Sequence, residues 1–142
     1  MSRLQDVSAP PRILVVDDDP FIRELLTLKF RNAGFEVEAA QDGEAGLAAA
    51  FACPPDIVLL DWMMPRLSGP ETCRSLRAAA ATENVPVILL TAKAQEADMQ
   101  AGFAAGASDY ALKPFSPREL VARVNEALGR PPGCSDESAA AD

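Results

Sequence analysis

The chain has 142 residues and a mass of 15.1 kDa, the size of one domain, and its 49% hydrophobic and 24% charged residues can support a packed core. A net charge of −8 and a pI near 4.5 argue against nucleic acid or an anionic membrane as a direct partner. There is no histidine, which excludes His-ligated zinc and Ser-His or Cys-His catalysis, so any histidine chemistry must come from a partner.

The opening stretch, residues 1–11, has no apolar signal core and is expected to be a flexible extension. No later stretch approaches the about 20 apolar residues that cross a bilayer, so a cytoplasmic location is the default expectation. Ile13-Leu14-Val15-Val16 ends on Asp17-Asp18-Asp19 and reads as a buried parallel strand from about Arg12 to Asp17. A helix is expected from Pro20 to Ala33. Ile22, Leu25, Leu26, Phe30 and Ala33 recur at helical spacing, Asp19 can cap the start, and Gly34 follows the end. Phe35 to Ala39 reads as the second strand, and Asp42 can N-cap an Ala-rich helix from Gly43 to Ala52. Pro54-Pro55 breaks the chain before Ile57-Val58-Leu59-Leu60, a third strand ending on Asp61, and a helix follows from about Gly69 to Ala80. Val87-Ile88-Leu89-Leu90 ends on Thr91 and leads to a helix from about Gln95 to Ala105. Tyr110-Ala111-Leu112 ends on Lys113. The last helix opens with Ser116-Pro117-Arg118-Glu119, a capping box with proline at the first helical position. It presents apolar Leu120, Val121, Val124, Ala127 and Leu128 and ends at Gly129. Residues 130–142 are Pro, Ala, Ser and acid, expected to be a disordered tail or the start of a linker.

Five strand-helix units over residues 12–129 imply a parallel sheet covered by helices on both faces. Right-handed crossovers leave few topologies, and acids closing strands one and three suit the order 2-1-3-4-5, whose switch point lies between those strands. Cys53, Cys73 and Cys134 are widely spaced and read as two semi-buried small hydrophobes and one tail thiol rather than metal or redox groups.

In an open α/β sheet, ligands bind beyond the carboxyl ends of the strands. Asp17, Asp18, Asp61, Thr91 and Lys113 all fall there. Three converging carboxylates repel one another and need a cation to stay ionised. With oxygen donors only, the matching ion is hard: Mg²⁺, with Mn²⁺ or Ca²⁺ as alternatives. Asp19 accounts for helix capping, which leaves the other acids for this role. A carboxylate at Asp61 beside Mg²⁺, with the Lys113 ammonium and the Thr91 hydroxyl, is an arrangement for phosphoryl transfer with Asp61 as nucleophile.

These residues carry a family resemblance. The stretches Ile13-Leu-Val-Val-Asp-Asp-Asp-Pro20, Leu59-Leu-Asp-Trp-Met-Met-Pro65, Leu89-Leu-Thr-Ala92 and Gly106-Ala-Ser-Asp-Tyr-Ala-Leu-Lys-Pro-Phe115 are similar to the receiver domain of bacterial two-component response regulators. The resemblance implies a flavodoxin-like doubly wound (βα)5 three-layer sandwich that accepts a phosphoryl group on Asp61 from a phosphohistidine. The donor would be a sensor histidine kinase or a histidine phosphotransfer protein. It implies that Asp18, Asp61 and the Met63 carbonyl bind Mg²⁺ directly, with Asp17 acting through water. Lys113 and Thr91 would contact the phosphoryl oxygens, Lys113-Pro114 would be cis, and Tyr110 would be the aromatic switch residue. The face of the fourth helix, fifth strand and fifth helix would read out to an output protein. Kinase docking would use Phe21 and Leu28 with Phe115. Met63 and Lys93 stand where the family tunes dephosphorylation, and the apolar Met63 implies a longer-lived phosphoryl group. Asp109, Glu119 and Arg123 are part of the ion-pair set by which transcription-factor receivers dimerise, although Met99 stands where those often have arginine.

The chain is expected to act by protein contact rather than as a turnover enzyme, either as a stand-alone chemotaxis-regulator-like receiver or as a receiver cut from a longer regulator. An aspartate-nucleophile phosphatase would want an acid where Met63 stands, and a flavodoxin-type carrier would not place three acids in its phosphate loop.

Overall fold

The computed structural model describes residues 10–92 and 96–129. Lys93, Gln95, Cys134, the side chain of Met99 and most of the two expected terminal extensions lie outside the described residues. The strands are β1 (Arg12–Val16), β2 (Glu36–Ala40), β3 (Ile57–Asp61), β4 (Val87–Thr91) and β5 (Asp109–Leu112). The helices are α1 (Pro20–Asn32), α2 (Gly43–Ala52), α3 (Gly69–Ala78), α4 (Glu96–Ala104) and α5 (Pro117–Ala127). All strand pairs are parallel, in the order β2-β1-β3-β4-β5. None of the described helices is long and apolar enough to cross a membrane.

Alternate strand residues point to opposite faces, so each apolar run feeds two cores. Ile13, Val15, Ile57, Leu59, Ile88 and Leu90 pack under α1 and α5 with Leu26, Phe30 and Val124. Leu14, Val16, Val58, Leu60, Val87 and Leu89 pack under the other layer with Ala50, Cys73 and Leu76. All five residues of β3 and of β4 are buried, which explains why those strands read as unbroken apolar runs. Truncating a central side chain such as Leu59 to alanine should cost about 2–5 kcal/mol. The edge strands are mixed: β2 alternates exposed Glu36 with partly buried Val37 and begins one residue later than its sequence suggests. Arg12 anchors this edge by donating to Glu36 at 2.9 Å.

Several expectations need correcting. Asp17 follows β1 instead of ending it, and α1, α3 and α4 stop one or two residues early. Ala127 is exposed on α5, and Asn125, fully buried, faces inward beside Val124 and Val121. Cys53 is exposed, whereas Cys73 is buried. The complete capping box lies at α3, where the Ser68 hydroxyl accepts from Glu71 N–H and the Glu71 carboxylate accepts from Ser68 N–H. At α5 the Ser116 hydroxyl accepts from Glu119 N–H at 3.3 Å.

Arg77 makes the main polar lock at the amino end of the sheet. Its guanidinium donates to the carbonyls of Gly106 (2.9 Å), Glu83 (3.2 Å), Thr82 (3.4 Å) and Val85 (2.6 Å). One side chain thus ties α3 to the approach of β4 and to the turn before β5.

Candidate functional site

Parallel strands end in register, so β1, β3 and β4 deliver their last residues to one rim. Asp61, the final residue of β3, is 4% exposed; Asp17, just beyond β1, has no exposure, and Asp18 is exposed. Carboxylate oxygens of Asp17, Asp18 and Asp61 all lie within 4.8 Å of one another. Lys113 enters from the end of β5. Its Nζ donates to Asp61 Oδ1 at 2.9 Å and stands 3.5 Å from Asp17 Oδ2. The Lys113-Pro114 peptide bond is cis, and the Lys113 backbone N–H donates to the Thr91 carbonyl at 2.7 Å. Thr91, at the end of β4, is 2% exposed.

One ammonium facing three carboxylates leaves the rim under-neutralised. The Asp61 carboxyl is pushed up to about 6: burial raises it most, the hydrogen bond from Lys113 opposes the rise, and the charge of Asp17 adds to it. Asp17 is also raised, chiefly by burial, against the opposing hydrogen bond from Asp19 N–H and the charge of Lys113. Burial alone would lower Lys113, but the hydrogen bond and charge of Asp61, with Asp17 behind it, reverse the shift and raise it. Asp17 Oδ2 is buried and accepts no hydrogen bond among the described residues; the Lys113 ammonium, 3.5 Å away, is shared with Asp61. A buried carboxylate oxygen left in that state is costly unless a cation completes it. An all-oxygen donor set of three carboxylates with only one ammonium between them fits a hard divalent ion.

Two glycines and an arginine support this geometry and were not apparent from sequence. A Cβ on Gly69 would sit 2.5 Å from the Asp61 carbonyl oxygen, so only glycine lets α3 start this close to the site. Gly102 packs against Trp62 and Leu89 in the same way, each 3.0 Å from where a Cβ would be. Arg23, one turn into α1, donates to the Asp17 carbonyl at 2.8 Å and holds that backbone in place. Only the glycines carried any signal, as small residues beside motif positions.

Around the rim, Tyr110 is half-buried and meets Phe103 edge to face, with centroids 5.8 Å apart. Tyr110, Phe103, Trp62, Thr91 and Gly102 line a narrow crease. Met63 is exposed, as are Phe21 and Leu28 on α1, while Phe115 is partly buried against the core. Arg123 lies 3.5 Å from Asp109 within the same chain and donates to the Tyr110 carbonyl; Glu119 is exposed.

A doubly wound α/β domain with a carboxylate cluster, a lysine and a threonine at its switch point is a signalling receiver in design. Its family model, the response regulator receiver domain, matches residues 13–125, and the chain belongs to that family. It is 48% identical over 119 residues to the DNA-binding response regulator MtrA of Mycolicibacterium smegmatis, covering 84% of this chain and 51% of MtrA. The chain thus spans about half the length of such relatives. Its fold superposes on the chemotaxis protein CheY4 of Vibrio cholerae with a TM-score of 0.80 at 32% identity, covering 83% of this chain and 98% of that one. It also matches the receiver domain of a Pseudomonas aeruginosa sensor histidine kinase, solved with magnesium coordinated in its active-site cleft. There the TM-score is 0.79 at 32% identity, over 85% and 99% of the two chains. The flavodoxin-like architecture and the receiver assignment are thus established.

Proposed function

We propose that this chain, as a receiver unit over residues 12–129, takes a phosphoryl group onto Asp61 from the phosphohistidine of a sensor histidine kinase or a histidine phosphotransfer protein. The observation that carries the reading is the buried Asp61 carboxylate, held by Lys113 at 2.9 Å among two further acids that share this one ammonium. An Asp61 oxygen forms the new bond to phosphorus, the phosphorus–nitrogen bond breaks, and the donor's imidazole leaves. Lys113 orients the attacking carboxylate and then pairs with the phosphoryl oxygens. Asp18, Asp61 and the Met63 carbonyl would hold Mg²⁺ (Mn²⁺ as the substitute), with Asp17 acting through water. The ion supplies neutralisation of charge on the transferred group.

The product is a switch, not a turnover enzyme. An acyl phosphate adds roughly −1.5 to −2 charge at one strand end, by analogy with phosphorylated hydroxyls. Thr91 and Lys113 gain contacts with it only in the phosphorylated state, and that difference shifts the population. Tyr110 lines one crease with Thr91, Trp62 and Phe103, and its ring is expected to turn inward in the phosphorylated state. The face of α4, β5 and α5 then meets an output protein or a second copy of the chain, in the setting of the cytoplasm. Phe21 and Leu28, both exposed on α1, are the proposed kinase contacts; Phe115 contributes less, being packed on the core. The exposed apolar Met63 favours a long-lived phosphoryl group.

A second reading is favoured by the span of the relatives. MtrA is a DNA-binding regulator about twice the length of the matched part, so this receiver would govern a DNA-binding output elsewhere in a longer protein. Avoidance of nucleic acid then applies to the acidic receiver alone. The deciding experiment incubates the protein and Asp61→Asn with Mg²⁺ and a small phosphodonor and reads intact mass. A phospho-adduct on the wild type, lost in the variant, is expected; an adduct indifferent to the change refutes the assignment. Trp62 emission should respond to Mg²⁺ and to beryllofluoride.

A further inference from the structure

Arg66 lies between β3 and α3 with φ at 69°, the one non-glycine residue with positive φ among those described. Left-handed backbone disfavours a long side chain, and such a residue persists only where its surroundings over-determine it. The holding contacts are visible. Arg66 Nη2 donates to Asp42 Oδ2 at 2.8 Å, and Nη1 lies 3.7 Å from Glu44. Asp42 is 8% exposed, and its other oxygen caps α2 by accepting from Ala45 N–H at 2.8 Å. One carboxylate therefore serves both the first turn of α2 and the loop beside the phosphoacceptor.

The same junction is packed. A Cβ on Gly43 would meet Leu67 at 3.0 Å and run into the Thr72 hydroxyl, which itself donates to the Ser68 carbonyl at 2.8 Å. Gly69 N–H closes the loop's base on the Trp62 carbonyl at 2.9 Å. The segment 62–68 is thus held at its base by β3 and α3 and at its crest by α2. Met63 lies between those two holds.

We infer that Arg66 is a positioning residue: pinned to Asp42 and Glu44, it fixes the backbone of residues 62–68 and so the Met63 carbonyl offered to the cation. The inference rests on the proposed Mg²⁺ site and adds to it a dependence on the first turn of α2, remote in sequence from every residue of the rim. The Arg66 end of the pair is exposed, and an ion pair open to solvent at one end contributes little to stability. The effect is therefore on the geometry of the loop rather than on whether the domain folds.

Through-space electrostatics makes a different prediction. Removing the Arg66 cation would tighten binding of a divalent ion, whereas removing the Asp42 charge would weaken it. Positioning makes both changes weaken binding. The test is Mg²⁺ titration followed by Trp62 emission for the unsubstituted protein, Arg66→Ala, Asp42→Asn, the double variant and Arg66→Gly. Asparagine preserves the α2 cap, and urea midpoints verify folding. Each single substitution should weaken binding about tenfold, and the double should lose no more than either single. Arg66→Gly, which relieves the backbone without restoring the pair, should bind as poorly as Arg66→Ala. Tighter binding by Arg66→Ala, unchanged affinity in the variants, additive losses, or normal binding by Arg66→Gly overturns the inference and leaves the site assignment standing. A wild type that shows no Mg²⁺ response overturns the site assignment itself, and the inference with it.

Discussion

Replacing Asp61 with asparagine should stabilise the metal-free protein at neutral pH. The folded-state carboxyl sits at about 6 against an ordinary 3.8, because it is 4% exposed and shares its rim with Asp17 and Asp18. A carboxyl whose folded pKa is raised contributes stability that is complete below 3.8 and is lost as pH rises through about 6. Ionising Asp61 at pH 7 therefore costs the fold about 3 kcal/mol, with the attraction of Lys113 already included. The amide resembles the protonated acid in size and can still accept from Lys113. It escapes the cost, and Asp17 loses a repulsive neighbour. In thermal unfolding with chelator, the variant should exceed the wild type by up to roughly 10 °C at pH 7, at about 2–4 °C per kcal/mol. The gap should close as pH falls through 6 towards 4. Excess Mg²⁺ should shrink or reverse it, because binding stabilises only the protein that holds the ion. Parallel wild-type and variant profiles between pH 4 and 7, or a less stable variant at pH 7 without metal, would refute this account of the rim.

Other substitutions separate the site from its scaffold. Gly69→Ala puts a methyl 2.5 Å from the Asp61 carbonyl oxygen and 2.9 Å from Trp62 Cα, both backbone atoms. It should cost about 1–3 kcal/mol in urea unfolding and weaken the Trp62 response to Mg²⁺; full stability with full response would contradict the close packing described. Arg77→Ala removes the guanidinium that donates to four carbonyls at the opposite end of the sheet. A loss of about 1–3 kcal/mol with Mg²⁺ binding unchanged is expected, and altered Mg²⁺ affinity would show that the two ends are coupled.

The central strands were legible because a strand buried on both faces needs no polar position, and β3 and β4 accordingly read as unbroken branched runs closed by Asp61 and Thr91. Helix starts were legible where a short polar side chain must satisfy free N–H groups, as at Asp19, Asp42 and Ser116. Ends were less so: α3 stops at Ala78 although alanines continue, since helix propensity does not mark where the chain must turn towards β4. On α5 the apolar pattern admitted Ala127 to the core, yet Asn125 is the buried neighbour. Alanine has too little surface to decide a helix's rotation, and contact with α1 decides it instead.

By itself the sequence determined the alternation of strands and helices and the kind of group closing each strand, because both depend on neighbours a few residues away. From those, the strand order could be reasoned, and a hard-cation, phosphoryl-accepting rim proposed. Burial and pairing needed the folded chain. Adjacent Asp17 and Asp18 differ in exposure, one buried and one exposed, although both carboxylates converge on one site with Asp61. Nothing local distinguishes Arg77, which gathers four carbonyls, from Arg74, which is exposed. Nor does anything local foretell that Arg66 holds a left-handed backbone by reaching an aspartate 24 residues away. Such contacts join elements distant in sequence, and only the tertiary structure brings their partners together.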